Sequence, residues 1–150
     1  MKRISVGILI LLLAAIPASA GRRFDARTWR RFQTHDVRTL SRNLDSRVGQ
    51  LVEVHFTFRG KDIRHLKPNW YEGSIWQPDP QGRKGFSNVR VMISKSDLRA
   101  FESLPTDAAS GSEINVYGKV LWDTDNKFAF VLLIGRNTVV DPAGNANVTW

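Results

Sequence analysis

The sequence predicts an all-β fold, β-rich with a few short helices. Three observations predict it: apolar residues alternate with polar ones over Leu51–Arg59 and again over Glu113–Trp122, β-like runs are separated by Pro/Gly-rich turns, and no long stretch of helical period occurs. The chain has 150 residues, no cysteine, and 22 basic against 14 acidic residues. It offers no disulfide and no thiolate metal site, so a domain of this size must be held by its apolar core.

The first element is an export signal. Lys2 and Arg3 precede an apolar run from Ile4 to Ile16, followed by Pro17 and Ala18-Ser19-Ala20, which predicts cleavage before Gly21. Thirteen residues at about 1.5 Å each reach only about 20 Å, short of the roughly 30 Å of bilayer hydrocarbon. The expectation is a protein exported to the periplasm or secreted, with no transmembrane segment in its mature part. Loss of Lys2 and Arg3 leaves 20 basic against 14 acidic residues, a net charge of +6. That charge suits a polyanion without choosing among nucleic acid, acidic glycan and anionic lipid.

Residues 21–35 form an Arg-rich arm or short helix with Phe24, Trp29 and Phe32 interleaved. Val37, Leu40 and Leu44 then recur at helical spacing, which predicts a short lead-in helix over Asp36–Asp45 with Thr34 or Asp36 as its N-cap. Strand one follows at Leu51–Arg59, with Val52, Val54, Phe56 and Phe58 on one parity. Strand two is Trp70–Gln77, a hairpin loop occupies Pro78–Gly85, and Val89, Val91 and Ile93 mark strand three. Ser94-Lys95-Ser96-Asp97 reads as a capping-box start for a helix ending near Leu104. Strand four covers Glu113–Trp122, Asp123–Lys127 is a turn, and strand five, Phe128–Ile134, is apolar at nearly every position and therefore buried on both faces. Residues 142–150 read as an irregular tail.

Five strands with one short helix between the third and fourth is the order of a five-stranded OB-fold, a Greek-key barrel, here with an N-terminal helical lead-in. The segment NLDSRVGQLVEV at 43–54 resembles the short helix and entry to strand one of small exported bacterial OB-fold domains, and INVYGKVLW at 114–122 resembles their fourth strand. The likeness covers about residues 36–141 and is one of pattern. It implies a binding role, with ligand lying across strands two and three between the loops joining strands one to two and four to five. Carried onto this chain, the first loop is Gly60–Asn69, with Lys61, Arg64, His65 and Lys67, and the second is the acidic turn Asp123–Lys127.

Trp70, Trp76, Arg90, Tyr117 and Lys119 fall on the polar parity of their strands, where aromatic faces could stack bases and cations meet phosphates. Lys61, Arg64 and Lys67, with Arg83 and Lys84 at the tip of the 78–85 loop, complete the candidate ligand set. Catalysis is not expected. The chain lacks a Gly-x-Ser-x-Gly elbow and a cysteine nucleophile, and His35, His55 and His65 lack ligand spacing, so no cofactor or metal is predicted. Asp123-Thr124-Asp125-Asn126 lacks the glycine and terminal glutamate of a calcium loop and reads as a β-turn. The expected function is a non-enzymatic binding module for an oligomeric or polyanionic ligand, with single-stranded nucleic acid as one candidate. The alternative is a protein-interaction or envelope-structural module whose Arg-rich arm docks a protein partner or an anionic membrane surface, and a third, less favoured reading is an enzyme on an OB-like scaffold with no residue assigned. Oligomeric state stays open.

Overall fold

The computed structural model describes residues 21–150, and the signal peptide predicted at 1–20 lies outside them. The Arg-rich segment divides into β1 (Arg22–Phe24), a single helical turn α1 (Ala26–Trp29) and β2 (Gln33–Asp36). Asp25 caps α1 by accepting from Thr28 N at 2.7 Å. Asp36, not Thr34, caps α2 (Val37–Arg42), accepting from Thr39 N at 2.6 Å. The cap satisfies a donor that has no partner inside the first turn. Helix α2 ends three residues earlier than its apolar spacing predicts, and a 3-10 turn at Asp45–Arg47 follows.

Period-two alternation builds β3 (Leu51–Phe56), in which Val52, Val54 and Phe56 are fully buried. Thr57 interrupts the strand before β4 (Phe58–Arg59). The predicted loop 60–69 contains a further strand, β5 (Arg64–Lys67), which hairpins onto β6 (Trp70–Pro78) through Asn69 at φ 68°. The 78–85 turn then leads to β7 (Phe86–Ser94), and Asp79 N donates to Gly85 O across its mouth at 3.1 Å. Helix α3 (Leu98–Glu102) precedes β8 (Ile114–Asp123) and β9 (Phe128–Gly135). The chain closes with β10 (Asn137–Val140) and β11 (Ala146–Thr149).

The fold is all-β in class. Its larger sheet runs β2-β3-β8-β9-β7-β6-β4, with β5 attached to β6. Pairing is antiparallel except for β2 with β3 and β7 with β9. Because only Thr57 separates β3 from β4, the hydrogen-bonded path from β3 through β8, β9, β7 and β6 returns to the chain segment where it started. The enclosed core contains Val54, Phe56, Ile75, Val91, Val116, Val131 and Leu133, together with Phe101 of α3 and Val37 and Leu40 of α2. Phe101 packs so closely on β6 that a Cβ at Gly73 would stand 2.9 Å from its ring.

A smaller sheet, β1-β11-β10, is a separate ladder that packs against β8 and β9 of the larger one. It corrects two expectations. The Arg-rich arm is part of the folded body: Phe24, Trp29 and Phe32 pack with Tyr117, Ile134 and Val148. The tail is not irregular, since Ala146 and Val148 alternate inward in β11 between two antiparallel partners. A four-residue alternation is too short to read from sequence, and one of its two hydrogen-bond partners, β1, lies at the opposite end of the described chain. The capping box fails as well. Asp97 precedes α3 but makes no side-chain cap, because its carboxylate turns inward to Arg22, and Ser94 Oγ instead meets Ser96 Oγ at 2.9 Å.

Candidate binding face

The outward side of β4, β6 and β7 carries an aromatic cluster beside a charged hollow. Register places Phe58 opposite Trp76 and Pro78 opposite Phe86. Trp76 stacks on Phe58 with ring centres 6.3 Å apart at 12°, and Phe86 stands edge-on to Phe58 at 5.7 Å and to Trp76 at 6.3 Å. Trp76 Nε1 donates to Ser74 Oγ at 2.7 Å, which holds the indole plane in one orientation. Phe86 remains 58% exposed, so the cluster offers an uncovered aromatic surface. Such a surface costs solvation and is characteristic of ligand or partner sites.

Next along the same strands, Ser74 faces Arg90. Arg90 Nε forms an ion pair with Glu72 Oε1 at 2.8 Å, and Arg64 Nη2 donates to Glu72 Oε2 at 2.6 Å. The Arg90 guanidinium also lies 3.8 Å from the centre of the Phe128 ring. Glu72, only 13% exposed, thus holds two guanidiniums of which both reach solvent. The hydrogen bond to Glu72 holds the Arg64 guanidinium still further above its ordinary pKa. The triad carries net charge +1, which Asp62 on the same hollow offsets. Together with Asp62, Ser74 and Asn88 it borders a hollow of about 330 Å³. The arrangement can hold an anionic group against two organised guanidiniums while a flat group rests on the neighbouring rings.

The predicted ligand residues separate into three groups. Trp76, Arg90 and Arg64 meet on this face, and Lys61, Lys67, Arg83 and Lys84 are exposed around the loops. Arg83 is drawn back toward its own turn, 3.3 Å from Asp79. The hydrogen bond from Gln81 N, with burial opposing it, keeps the Asp79 carboxyl below its ordinary range. Trp70 and Tyr117 do not belong to the face. Trp70 is 9% exposed in a cluster with Met92, Leu121, Phe130 and Leu132, over which Leu66 of β5 packs. Tyr117 is 8% exposed, beneath Trp29 at 5.4 Å and Phe32 at 5.8 Å. Burial raises its phenol pKa. Both side chains keep the outward parity expected of them, but other elements cover them. Lys119 is half-buried on β8, which β9 and β7 separate from β6.

Sequence parity missed Phe58, Phe86, Glu72 and Asn88. Phe58 was expected inside with Phe56, but the break at Thr57 transfers it to the other face, as an interrupted strand does. Phe86 and Asn88 lay outside the predicted strand three, which begins three residues earlier than its apolar residues indicate. Glu72 carried a legible signal, an acid on the same parity as the tryptophans.

The acidic turn opposite Lys67 is self-contained. Burial pushes the Asp123 carboxyl up, but hydrogen bonds from the Asn126 side chain and from the Asn126 and Asp125 backbone together bring it below its ordinary value. Among the described residues no group of three or more His, Asp or Glu gathers to hold a metal. His35 lies 3.2 Å from Arg47, His55 lies 3.3 Å from Glu53, and His65 stands edge-on to Tyr71 at 5.2 Å. A larger hollow of about 590 Å³ borders the small sheet, but Asp25 there caps α1, and Asp141 is hydrogen-bonded to Asn145. Compared with known proteins, the chain matches no family model and no curated protein.

Proposed function

We propose that the protein is an exported, non-enzymatic binding module of the OB-fold type that grips a polyanionic or oligomeric ligand, single-stranded nucleic acid first, across β6 and β7. The pairing order supports the fold reading. Numbering the five long strands β3–β4, β6, β7, β8 and β9 as one to five, neighbours run one-four-five-three-two-one, three pairs parallel with five, and α3 falls between three and four. In such a Greek-key barrel the ligand lies across strands two and three. That is where Trp76, Phe58 and Phe86 adjoin the Arg64–Glu72–Arg90 hollow, and this adjacency is the observation that carries the proposal.

The test is quenching of tryptophan fluorescence by a single-stranded oligonucleotide across a salt series. Stacking on Trp76 is expected to contribute about 1 to 3 kcal/mol, so Trp76→Ala weakens binding by about 5-fold to 150-fold. If Lys61, Arg64 and Arg90 each neutralise one phosphate, log K falls with log salt at a slope of about −2, and Arg90→Gln reduces it by about 0.7. Salt-independent binding, or none, overturns the nucleic-acid reading.

One observation favours a second reading, docking of an acidic partner or an anionic membrane. Arg23, Arg27, Arg30 and Arg31 are exposed on the segment whose aromatic side chains are packed down. Reversing those four charges, which leaves the packed rings in place, removes lipid or partner binding under this reading and leaves oligonucleotide binding at Trp76 unchanged.

A further inference from the structure

We propose that the amino group released by cleavage before Gly21 is itself bound by the fold, with the side-chain oxygen of Asn147 as its acceptor. The source of that amine rests on the export reading above, while the site rests on geometry. Gly21 is buried and holds φ at 69°, where a side chain is strained. A Cβ there would stand 2.6 Å from Asn147 Oδ1, 2.8 Å from Thr149 Cγ2 and 2.9 Å from Val148 O. Strand β11 therefore closes around the α-carbon of residue 21 as tightly as any residue permits. The next residue is anchored too: the Arg22 guanidinium donates to Ile134 O at 2.5 Å and meets Asp97 at 3.3 Å.

Asn147 Oδ1 is buried and accepts no hydrogen bond. In the uncut chain the nitrogen of Gly21 is a peptide amide, with one donor in a direction set by the backbone. Hydrolysis changes that. Water cleaves the Ala20–Gly21 C–N bond, its hydroxyl joining the Ala20 carbonyl carbon and its hydrogen the Gly21 nitrogen, which takes up the proton released by the new carboxyl group and becomes an ammonium. That group carries three donors on a rotatable bond to the Gly21 α-carbon, the atom on which an added Cβ would meet Asn147 Oδ1 at 2.6 Å. It can satisfy the buried oxygen with a charge-assisted hydrogen bond. The chain end is thereby a structural ligand of the β1–β11 edge, and a retained residue 20 deprives the site of it.

The test is a cycle of thermal unfolding on residues 21–150 and on the same protein retaining Ala20, each with Asn147 and with Asn147→Ala. Retaining Ala20 is expected to lower Tm by about 4 °C beside Asn147 and to change it little beside Asn147→Ala. An equal loss in both backgrounds, or none in either, overturns the proposal. Should Asn147→Ala fail to fold, labelling decides: the α-amine of native 21–150 is expected to react with an amine-acylating reagent about 5-fold more slowly than that of the protein retaining Ala20, and equal rates overturn capture. Mass spectrometry of the exported full chain tests the source separately. A terminus at Gly21 supports it, and another terminus overturns natural delivery of the amine whatever the cycle reports.

Discussion

Replacing Arg22 by methionine is expected to cost the domain about 3 to 5 kcal/mol, the usual consequence of removing one member of a buried ion pair. Asp97 is 1% exposed, and its Oδ2 lies 3.3 Å from Arg22 while its Oδ1 has no partner at all. With the guanidinium gone, a carboxylate stands buried with neither oxygen satisfied, and Ile134 O loses its donor. Relaxation is limited because β1 is held in register on β11, Arg22 opposite Val148. For a domain of about this length the loss corresponds to a fall in Tm of about 10 to 20 °C. The intact pair is itself incompletely satisfied, since Arg22 Nε is also without a partner, so its net contribution over an apolar pair is small. Arg22→Met with Asp97→Leu should therefore recover to within about 2 kcal/mol of the parent. Guanidinium chloride unfolding, followed by tryptophan fluorescence at unchanged m, measures all three. A loss below about 1 kcal/mol for Arg22→Met, or a double variant no better than the single, refutes the reasoning.

Gly118→Ala places a Cβ 2.5 Å from Val131 Cγ1 and 2.7 Å from Leu132 O at the irregular step of β8 on β9, and should cost about 1 to 3 kcal/mol in chemical denaturation. His35 is held below its ordinary pKa of 6.5 by burial and then by Arg47, so the unfolded chain binds its proton first. Stability from this group is full above pH 6.5 and is lost as pH falls toward the folded value, and His35→Gln should flatten the denaturation midpoint across that window. Asp141, lowered chiefly by hydrogen bonds from Asn145, and Asp25, lowered chiefly by that from Thr28, add stability above their ordinary 3.8 that disappears on further acidification. Asp141→Asn removes that contribution and should shift the acid-unfolding midpoint to higher pH. Phe86→Ser removes the most exposed ring of the cluster and should reduce oligonucleotide affinity while leaving Tm within about 2 °C, read by titration and calorimetry.

The five long strands, the 78–85 turn, the Asp36 cap and the double-sided burial of β9 are set by local pattern and were legible as such. Ala129 to Gly135 are all buried, as an unbroken apolar run demands. The alternation in β3, with Val52, Val54 and Phe56 inward, needed nothing beyond a pleated strand. The positions of Trp76 and Arg90 on the outward face followed from the same period. Phe58 escaped because one residue, Thr57, breaks the strand, and no residue type at that position announces the break.

What the sequence by itself determined was therefore which side of each unbroken strand a residue takes. Whether that side meets water was decided only in the tertiary structure. Trp70, Trp76 and Tyr117 share an outward parity, yet Leu66 from β5 covers the first and Trp29 and Phe32 cover the third. Trp76 stays half-buried beside Phe58 and the exposed ring of Phe86. Parity is a property of adjacent residues. Cover comes from segments tens of residues away, drawn in by the apolar area they bury, and from the pairing of β1 with β11, whose partners lie at opposite ends of the described chain.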